Sequence, residues 1–196
     1  MPELYHKQKI YCIMERVINM KKKIIILVTL CLFIFSGCSI NTNKNIVVYF
    51  SYSGNTEKVA NKLSSVLDCD ALEIQAEDPY KKSDLTYDPN CRAGLEKTDD
   101  TIRPKIKNDL SEVEKYENVY IGYPVWFSKA PRIIQTFIET YDLNDKNIYL
   151  FCTSDNDDIK DTKDYLEEVY PKLHIVKAKR FDKNVKNTDL EEWAQS

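Results

Sequence analysis

Short apolar runs alternate with amphipathic stretches along the chain from residue 45 onward. Several runs carry apolar residues at consecutive positions, which is typical of strands covered on both faces of a sheet. The stretches between them repeat apolar residues at helical spacing, as at Val59, Leu63, Val66 and Leu67. This alternation predicts a parallel sheet with helices on both faces, in the doubly wound strand order 2-1-3-4-5. The five predicted strands span residues 45–50, 71–74, 118–123, 147–152 and 173–178.

Further helices follow from the same spacing in the second half of the chain. Apolar residues share one helical face around residues 133–141, 159–170 and 190–194. The segment 78–111, between the second and third predicted strands, is polar and contains three prolines. It predicts a long loop with one helix around residues 89–97, and long loops in compact domains are often functional.

Residues 1–37 do not continue this pattern. Three lysines at 21–23 precede the apolar run 24–35, and Ser36, Gly37 and Cys38 follow it. A basic start, a short apolar run and small residues are typical of an export signal. The apolar run has 12 residues, fewer than the ~20 that a membrane-spanning helix needs.

The sequence from Phe35 to Cys38 resembles the lipobox of bacterial lipoproteins, in which the signal is cut before a cysteine that then carries lipid. The resemblance implies lipidation of Cys38 and a domain anchored to the cell membrane on its extracytoplasmic face. An uncleaved signal anchor is the alternative. The predicted organisation is an N-terminal extension with signal peptide over residues 1–37, a tether over 38–44 and a folded domain over 45–196.

The charge of the folded part bears on its partners. Residues 1–37 hold six of the 28 basic and two of the 31 acidic side chains, so the net charge changes from −3 to −7 without them. An acidic domain is repelled by nucleic acid phosphates and by anionic lipid headgroups. We therefore expect no nucleic acid partner.

The cysteines of the folded part are Cys69, Cys91 and Cys152, an odd number at wide spacing. No C-x-x-C pair is present, which excludes a thioredoxin-type redox pair and a zinc knuckle. The sequence predicts free thiols, with a bridge between Cys69 and Cys91 as the alternative in an oxidising compartment.

The loop after the first predicted strand is rich in hydrogen-bond donors. It contains Ser51, Tyr52, Ser53, Gly54, Asn55 and Thr56, and a helix is predicted to begin at Asn55 or Thr56. The free amides of a helix start favour an anion, glycine allows close approach of the backbone, and the hydroxyl groups add donors. The loop lacks lysine and is not a P-loop, so it suits a single phosphate. The alternative is a helix cap provided by Ser53 or Thr56 alone.

The loop after the third predicted strand carries two adjacent aromatic residues, Trp126 and Phe127, ahead of a helix that opens near Pro131. Aromatic side chains in a loop indicate a stacking surface for a flat ring. A hydrophobic plug over the edge of the sheet is the alternative.

The two motifs, S-Y-S-G-N-T and G-Y-P-V-W-F-S-K-A-P, together resemble those of the short bacterial flavodoxins over residues 45 to about 181. The resemblance implies a flavodoxin-like α/β three-layer sandwich with FMN as cofactor. Residues 51–56 would hold the ribityl phosphate. The residues that would border the isoalloxazine ring, with Trp126 stacking on it, are Pro124, Val125, Trp126, Phe127, Ser128 and Lys129.

The loop after the fourth predicted strand departs from that family. Relatives carry glycines there, whereas this chain has Asp155, Asp157 and Asp158. The resemblance implies contacts from Thr153, Ser154 and Asp155 to the pyrimidine end of the flavin. Alternatively, the aspartates only cap a helix that begins near Ile159. Ser128 also stands where relatives often have glycine.

The favoured function is FMN-dependent electron transfer to a redox protein or a small-molecule acceptor, with the chemistry carried by the flavin and no catalytic side chain. One alternative is an FMN-dependent NAD(P)H or quinone reductase, with a pocket beside the ring shaped by Tyr80 and Tyr87. The other is a flavodoxin-like binding module that has lost its flavin.

Overall fold

The computed structural model describes residues 44–86, 88–155 and 157–195. The strands are β1 (Asn45–Tyr49), β2 (Ala71–Glu73), β3 (Asn118–Pro124), β4 (Asn147–Thr153) and β5 (Ile175–Phe181). The helices are α1 (Asn55–Leu67), α2 (Arg92–Thr98), α3 (Arg132–Thr140), α4 (Lys160–Val169) and α5 (Asn187–Gln195), and two 3₁₀ turns span Lys82–Leu85 and Ser111–Lys115. Cys38 and the predicted leader lie outside the described residues.

The sheet confirms the predicted strand order, since its five parallel strands run β2-β1-β3-β4-β5. In register, Val48 of β1 lies opposite Leu72 of β2 and Ile121 of β3. The main difference from the predicted strands is in β5, which ends at Phe181 instead of residue 178. Lys44, assigned to the tether from sequence, already belongs to the domain because its carbonyl accepts hydrogen bonds from the amides of Glu117 and Asn118.

The sheet has an apolar core on each face, and a layer of helices covers each core. On one face, α1 and α5 bury Val59, Leu63 and Trp193 against Val47 and other residues of the central strands. On the opposite face, side chains of α3 and α4, such as Phe137 and Leu166, pack on Ile46 and its neighbours. Each fully buried side chain of this size stabilises the fold by roughly 1.5–3 kcal/mol relative to an exposed one. The three-layer sandwich predicted from the sequence is therefore confirmed.

The polar segment between β2 and β3 is more ordered than its sequence indicates. The predicted helix is present as α2, and an isolated bridge joins Ala76 to Ile106. Tyr80 and Glu96 of this segment are buried, with 8% and 3% exposure. The segment packs against the core instead of forming a plain loop.

The described thiols are free, as predicted, and no bridge joins Cys69 to Cys91. Burial raises the pKa of Cys69 to about 11 and that of Cys152 to about 12, so both remain protonated and unreactive near neutral pH. Within the described ranges, none of the helices is long and apolar enough to cross a bilayer, and no cluster of His, Cys, Asp and Glu is placed to hold a metal ion.

Gly122 makes room for a core aromatic ring. A Cβ atom at this position would lie 2.2 Å from the ring of Phe151 on the neighbouring strand. We expect Gly122→Ala to lower the free energy of unfolding by about 1–3 kcal/mol, because the core would be overpacked. Urea unfolding at unchanged m-value measures the loss.

The smaller ring-free side chain in Phe151→Leu should relieve that clash. In the double variant Gly122→Ala, Phe151→Leu, the loss of stability should be smaller than the sum of the two single losses. Additive losses would contradict the close packing of Gly122 on Phe151.

Candidate functional site

The loops that follow β1, β3 and β4 meet at the carboxyl edge of the sheet, where open α/β sheets bind their ligands. A cavity of about 230 Å³ opens there. Its lining comes from all three loops and from the chain after β5, and consists of Ser53, Asn55, Pro124, Val125, Thr153, Ser154, Asp155, Asp157, Phe181, Asp182 and Lys183. We call it the edge cavity.

A second cavity of about 270 Å³ shares two lining residues, Val125 and Asp157, with the edge cavity. Its other lining residues are Leu85, Trp126, Phe127 and Ser128. We call it the ring cavity. The two cavities bring together most of the residues predicted from the sequence; Ser51, Tyr52, Gly54, Thr56 and Lys129 line neither of them.

The start of α1 is open to an anion. The helix is capped by Gly54, which has φ 79° and no side chain to accept hydrogen bonds from the first turn. The alternative in which Ser53 or Thr56 caps the helix is wrong. The hydroxyl of Thr56 is instead hydrogen-bonded to the hydroxyl of Thr153 at 2.8 Å, which ties the β1 loop to the end of β4. The first amides of α1 therefore remain available to a ligand.

The environment of the Ser51 hydroxyl shows whether a phosphate group would fit this loop. Its Oγ is buried and has no hydrogen-bond partner in the described part of the chain. Leaving such a group unsatisfied is unfavourable by about 1–3 kcal/mol, and a phosphate oxygen held in the loop would relieve it. Ser53 and Asn55 line the edge cavity beside the helix start. The loop therefore fits a phosphate group. Ser51 and Tyr52 themselves border a separate cavity next to β2 and do not line the edge cavity.

The β3 loop forms a tight two-residue hairpin. The amide of Trp126 donates to the carbonyl of Lys129, and the amide of Lys129 donates to the carbonyl of Trp126, each at 2.9 Å. The two central residues, Phe127 and Ser128, have φ of 51° and 63°. This is the backbone of a type I′ turn, which favours Asn-Gly. The positive φ expected where relatives have glycine is thus present at Ser128 without a glycine.

The indole of Trp126 is partly buried and packed edge-on against three rings. Its ring centroid lies 5.6 Å from that of Phe50, 6.4 Å from Tyr52 and 5.0 Å from Tyr80. It also lines the ring cavity. The side chain therefore covers the edge of the core, as the plug interpretation expects, and its place in the cavity lining leaves the stacking interpretation open as a prediction.

The ammonium of Lys129 is engaged elsewhere. Its Nζ lies 3.7 Å from the Asp100 carboxylate, 3.3 Å from the Lys97 carbonyl oxygen and 4.8 Å from the Tyr165 ring centroid. The positive charge expected beside the ring thus faces α2 and α4.

The three aspartates of the β4 loop have three different roles. Asp158 lies directly before Ile159, the N-cap residue of α4, and its carboxylate accepts hydrogen bonds from the amides of Ile159 and Lys160. Asp157 joins two loops, because Ser128 Oγ donates to its carboxylate at 3.1 Å. Asp155 is exposed and lines the edge cavity. Of the three aspartates, only Asp158 accepts hydrogen bonds from amides at the start of α4.

Sequence reasoning missed Phe181, Asp182 and Lys183, which border the edge cavity from the last residue of β5 and the chain that follows it. The rule that ligands bind at the carboxyl ends of strands applies to β5 as well. Because the sequence predicts that β5 ends at residue 178, the loop after β5 was expected to begin three residues earlier than it does. Counting these residues, the edge cavity is lined by three carboxylates and one ammonium group.

A larger cavity, about 580 Å³, lies at the opposite edge of the sheet between the carboxyl ends of α3 and α4. It has no glycine-capped helix start and none of the predicted site residues. Size alone is therefore a poor guide here, and the convergence of loops identifies the functional edge.

Comparisons with known proteins agree with the fold and show the family of the chain. A family model described as flavodoxin matches residues 44–196. A crystal structure from Bacteroides eggerthii, provisionally named a flavoprotein, is 33% identical with a TM-score of 0.75, and the match covers 78% of this chain and 96% of that one. A similarly named protein from Bacteroides uniformis is 31% identical with a TM-score of 0.75, over 79% and 99% of the chains.

A more distant structure is that of a flavoprotein in complex with FMN from Lactobacillus acidophilus. It is 20% identical with a TM-score of 0.60, and the match covers 78% of this chain and 99% of that one. No curated protein matches the sequence.

The strained hairpin leads to a stability prediction. Ser128→Gly and Ser128→Ala both remove the hydroxyl that donates to Asp157, so they differ only in their tolerance of positive φ. We expect the glycine variant to be more stable than the alanine variant by about 1 kcal/mol, because a Cβ is disfavoured in the left-handed region. Parallel urea titrations measure the difference, and equal midpoints would contradict the turn geometry.

Proposed function

Because the chain belongs to the flavodoxin family, we propose that it binds FMN and acts as an electron-transfer flavoprotein. The observation that carries the proposal is the meeting of three loops around a glycine-capped helix start at the carboxyl edge of the sheet. The FMN complex of the Lactobacillus protein supports the choice of cofactor.

The proposal gives each loop a task. The amides at the start of α1, with Ser51, Ser53 and Asn55, bind the phosphate. Trp126 borders one side of the ring site, and Thr153, Ser154 and Asp155 border the other, where backbone groups hydrogen-bond the pyrimidine edge. Bound FMN supplies the redox chemistry. The protein orients the ring and surrounds it with carboxylates.

A second candidate function is an FMN-dependent reductase of small molecules. It is favoured by a cavity of about 380 Å³ beside β2, whose lining includes Phe50, Ile74 and Tyr80 behind Trp126. Tyr80 was expected to shape such a pocket, and Tyr87 lies outside the described residues. Steady-state oxidation of NADPH with a quinone acceptor distinguishes this enzyme from a carrier. A colourless protein that gains no flavin on reconstitution would indicate a module without cofactor.

We expect the chain from Cys38 onward to bind FMN in a one-to-one ratio, with weaker binding of FAD, because the loop is built for one phosphate. Gly54→Ala should weaken FMN binding by about tenfold, since a Cβ at φ 79° costs ~1–2 kcal/mol. Riboflavin, which lacks the phosphate, serves as the control ligand. Its affinity should fall much less than that of FMN in the Gly54→Ala variant. Absence of flavin absorbance after desalting of the reconstituted parent protein would contradict the proposal.

The carboxylates of the edge cavity should weaken the binding of an anionic ligand. We expect Asp155→Asn to tighten FMN binding several-fold at low salt and to raise the lower reduction potential, with both effects shrinking as salt is added. Asp161→Asn is the control, because this exposed residue of α4 does not line the cavity. Equal effects of the two substitutions would show that Asp155 does not act on the flavin.

We also propose that Cys38 is lipidated and holds the domain at the extracytoplasmic face of the membrane. Lys44, the first described residue, lies at the amino end of β1, so the tether joins the sheet at the edge opposite the candidate site. Cys38→Ala should abolish the mass increase of the lipid and the partition of the mature protein into detergent. Cys31→Ala, within the apolar run, should retain both. Identical mass and partition of the two variants would indicate a plain signal anchor.

A further inference from the structure

The segment between β2 and β3 supports the indole of Trp126 from behind. The Tyr80 ring packs edge-on against it, with centroids 5.0 Å apart and planes at 66°. Tyr80 also meets Phe50 at 5.5 Å. Because Trp126 lines the ring cavity, the position of Tyr80 decides how far the indole can move away from that cavity.

Tyr80 is itself held by a buried carboxylate. Its hydroxyl lies 2.9 Å and 2.8 Å from the two carboxylate oxygens of Glu96, which is 3% exposed. The guanidinium of Arg92 lies 3.8 Å from the centroid of the Tyr80 ring, and its Nε donates to Glu96 at 3.1 Å. Burial raises the pKa of Glu96, while the bonds from Tyr80 and Arg92 oppose the shift.

The other end of the β3 loop is joined to the same helix. Arg132, at the start of α3, is 2% exposed, and its guanidinium donates to the backbone carbonyls of Glu96 and Lys97. Trp126 and Arg132 therefore connect both ends of the loop to α2 and its surroundings. The geometry of the ring cavity depends on this polar segment as well as on the hairpin.

A buried carboxylate is an unfavourable way to fill space, because apolar residues of similar volume often stabilise a fold equally well or better. Its use here points to a requirement for orientation, which directional hydrogen bonds supply and apolar contacts do not.

We propose that Tyr80 and Glu96 are positioning residues that fix the orientation of Trp126 in the ring cavity and thereby set the affinity and potential of a bound flavin. The effect on the flavin rests on the proposed function. The effect on Trp126 does not, because it is a property of the protein without ligand.

The chain allows a direct optical test. It contains two tryptophans, so Trp193→Phe leaves Trp126 as the single reporter. In this background we expect Glu96→Gln and Tyr80→Phe to shift the emission of the flavin-free protein to longer wavelength. Acrylamide quenching should increase about twofold, as the indole becomes mobile.

The matched control is a second group of a tyrosine, a glutamate and an arginine. Tyr170 donates to Glu139, which also pairs with Arg103, and Tyr170 and Glu139 line the cavity at the edge of the sheet remote from the candidate site. Glu139→Gln and Tyr170→Phe should leave the emission of Trp126 unchanged.

A double variant separates positioning from simple stabilisation. Tyr80→Phe with Glu96→Leu removes the hydroxyl and the carboxylate together, and Arg92 keeps its ion pair with Asp78, so the urea midpoint of the double variant should return toward that of the parent. The emission of Trp126 and the FMN affinity should remain altered, the latter by about tenfold. If emission, affinity and potential return together with the stability, or if the single variants change none of them, the proposal is overturned.

The outcome remains distinguishable from failure of the proposed function. If the parent protein binds no FMN, the proposed function fails, and the emission of flavin-free variants alone decides the positioning of Trp126. If the parent binds FMN and Glu96→Gln changes neither affinity nor potential, the part of the inference that concerns the flavin is wrong.

Discussion

The parallel pairing of β3 between β1 and β4 is the constraint on which the candidate site depends. It places Tyr49 opposite Gly122, and Pro124 opposite Thr153, so that three chain segments leave the sheet at nearly the same height. The loops then have little freedom: a hydroxyl pair between Thr56 and Thr153 joins the β1 loop to the end of β4, and Ser128 with Asp157 joins the β3 loop to the β4 loop. A ligand cavity follows from this convergence without any insertion. The core maintains the register through close contacts such as that of Gly122 with Phe151.

Several features at this edge are unfavourable in isolation. Phe127 and Ser128 adopt positive φ, Ser51 buries an unpaired hydroxyl, and Glu96 buries a carboxylate. Strain and unsatisfied groups of this kind concentrate at functional sites, where the surrounding structure maintains them. All three lie in or directly behind the loops that form the two cavities. The rest of the sheet provides the stability that allows them.

The sequence allowed the fold to be predicted almost completely, because strands buried on both faces have continuous apolar runs and α1 has a clear helical period. It also pointed to the loops after β1 and β3, where the residue types themselves are informative and which contribute to the lining of the two cavities. Contacts between distant segments were not predictable. Nothing in the polar segment around Tyr80 and Glu96 indicates burial, and the side-chain direction of Lys129 depends on Asp100 and Tyr165. The contribution of residues 181–183 depended on the exact end of β5, which periodicity does not fix.

The central claim is that FMN binds in the cavities formed by the loops after β1, β3 and β4. It is tested most directly by an amide NMR titration of the isotope-labelled domain with FMN. The account predicts that the largest shifts fall on residues 51–56, 125–129 and 153–155, and that they saturate at one equivalent. It also predicts no change around Tyr141 and Tyr170, at the larger cavity on the opposite edge. Shifts confined to that remote cavity, or no shifts at any ratio, would contradict the account.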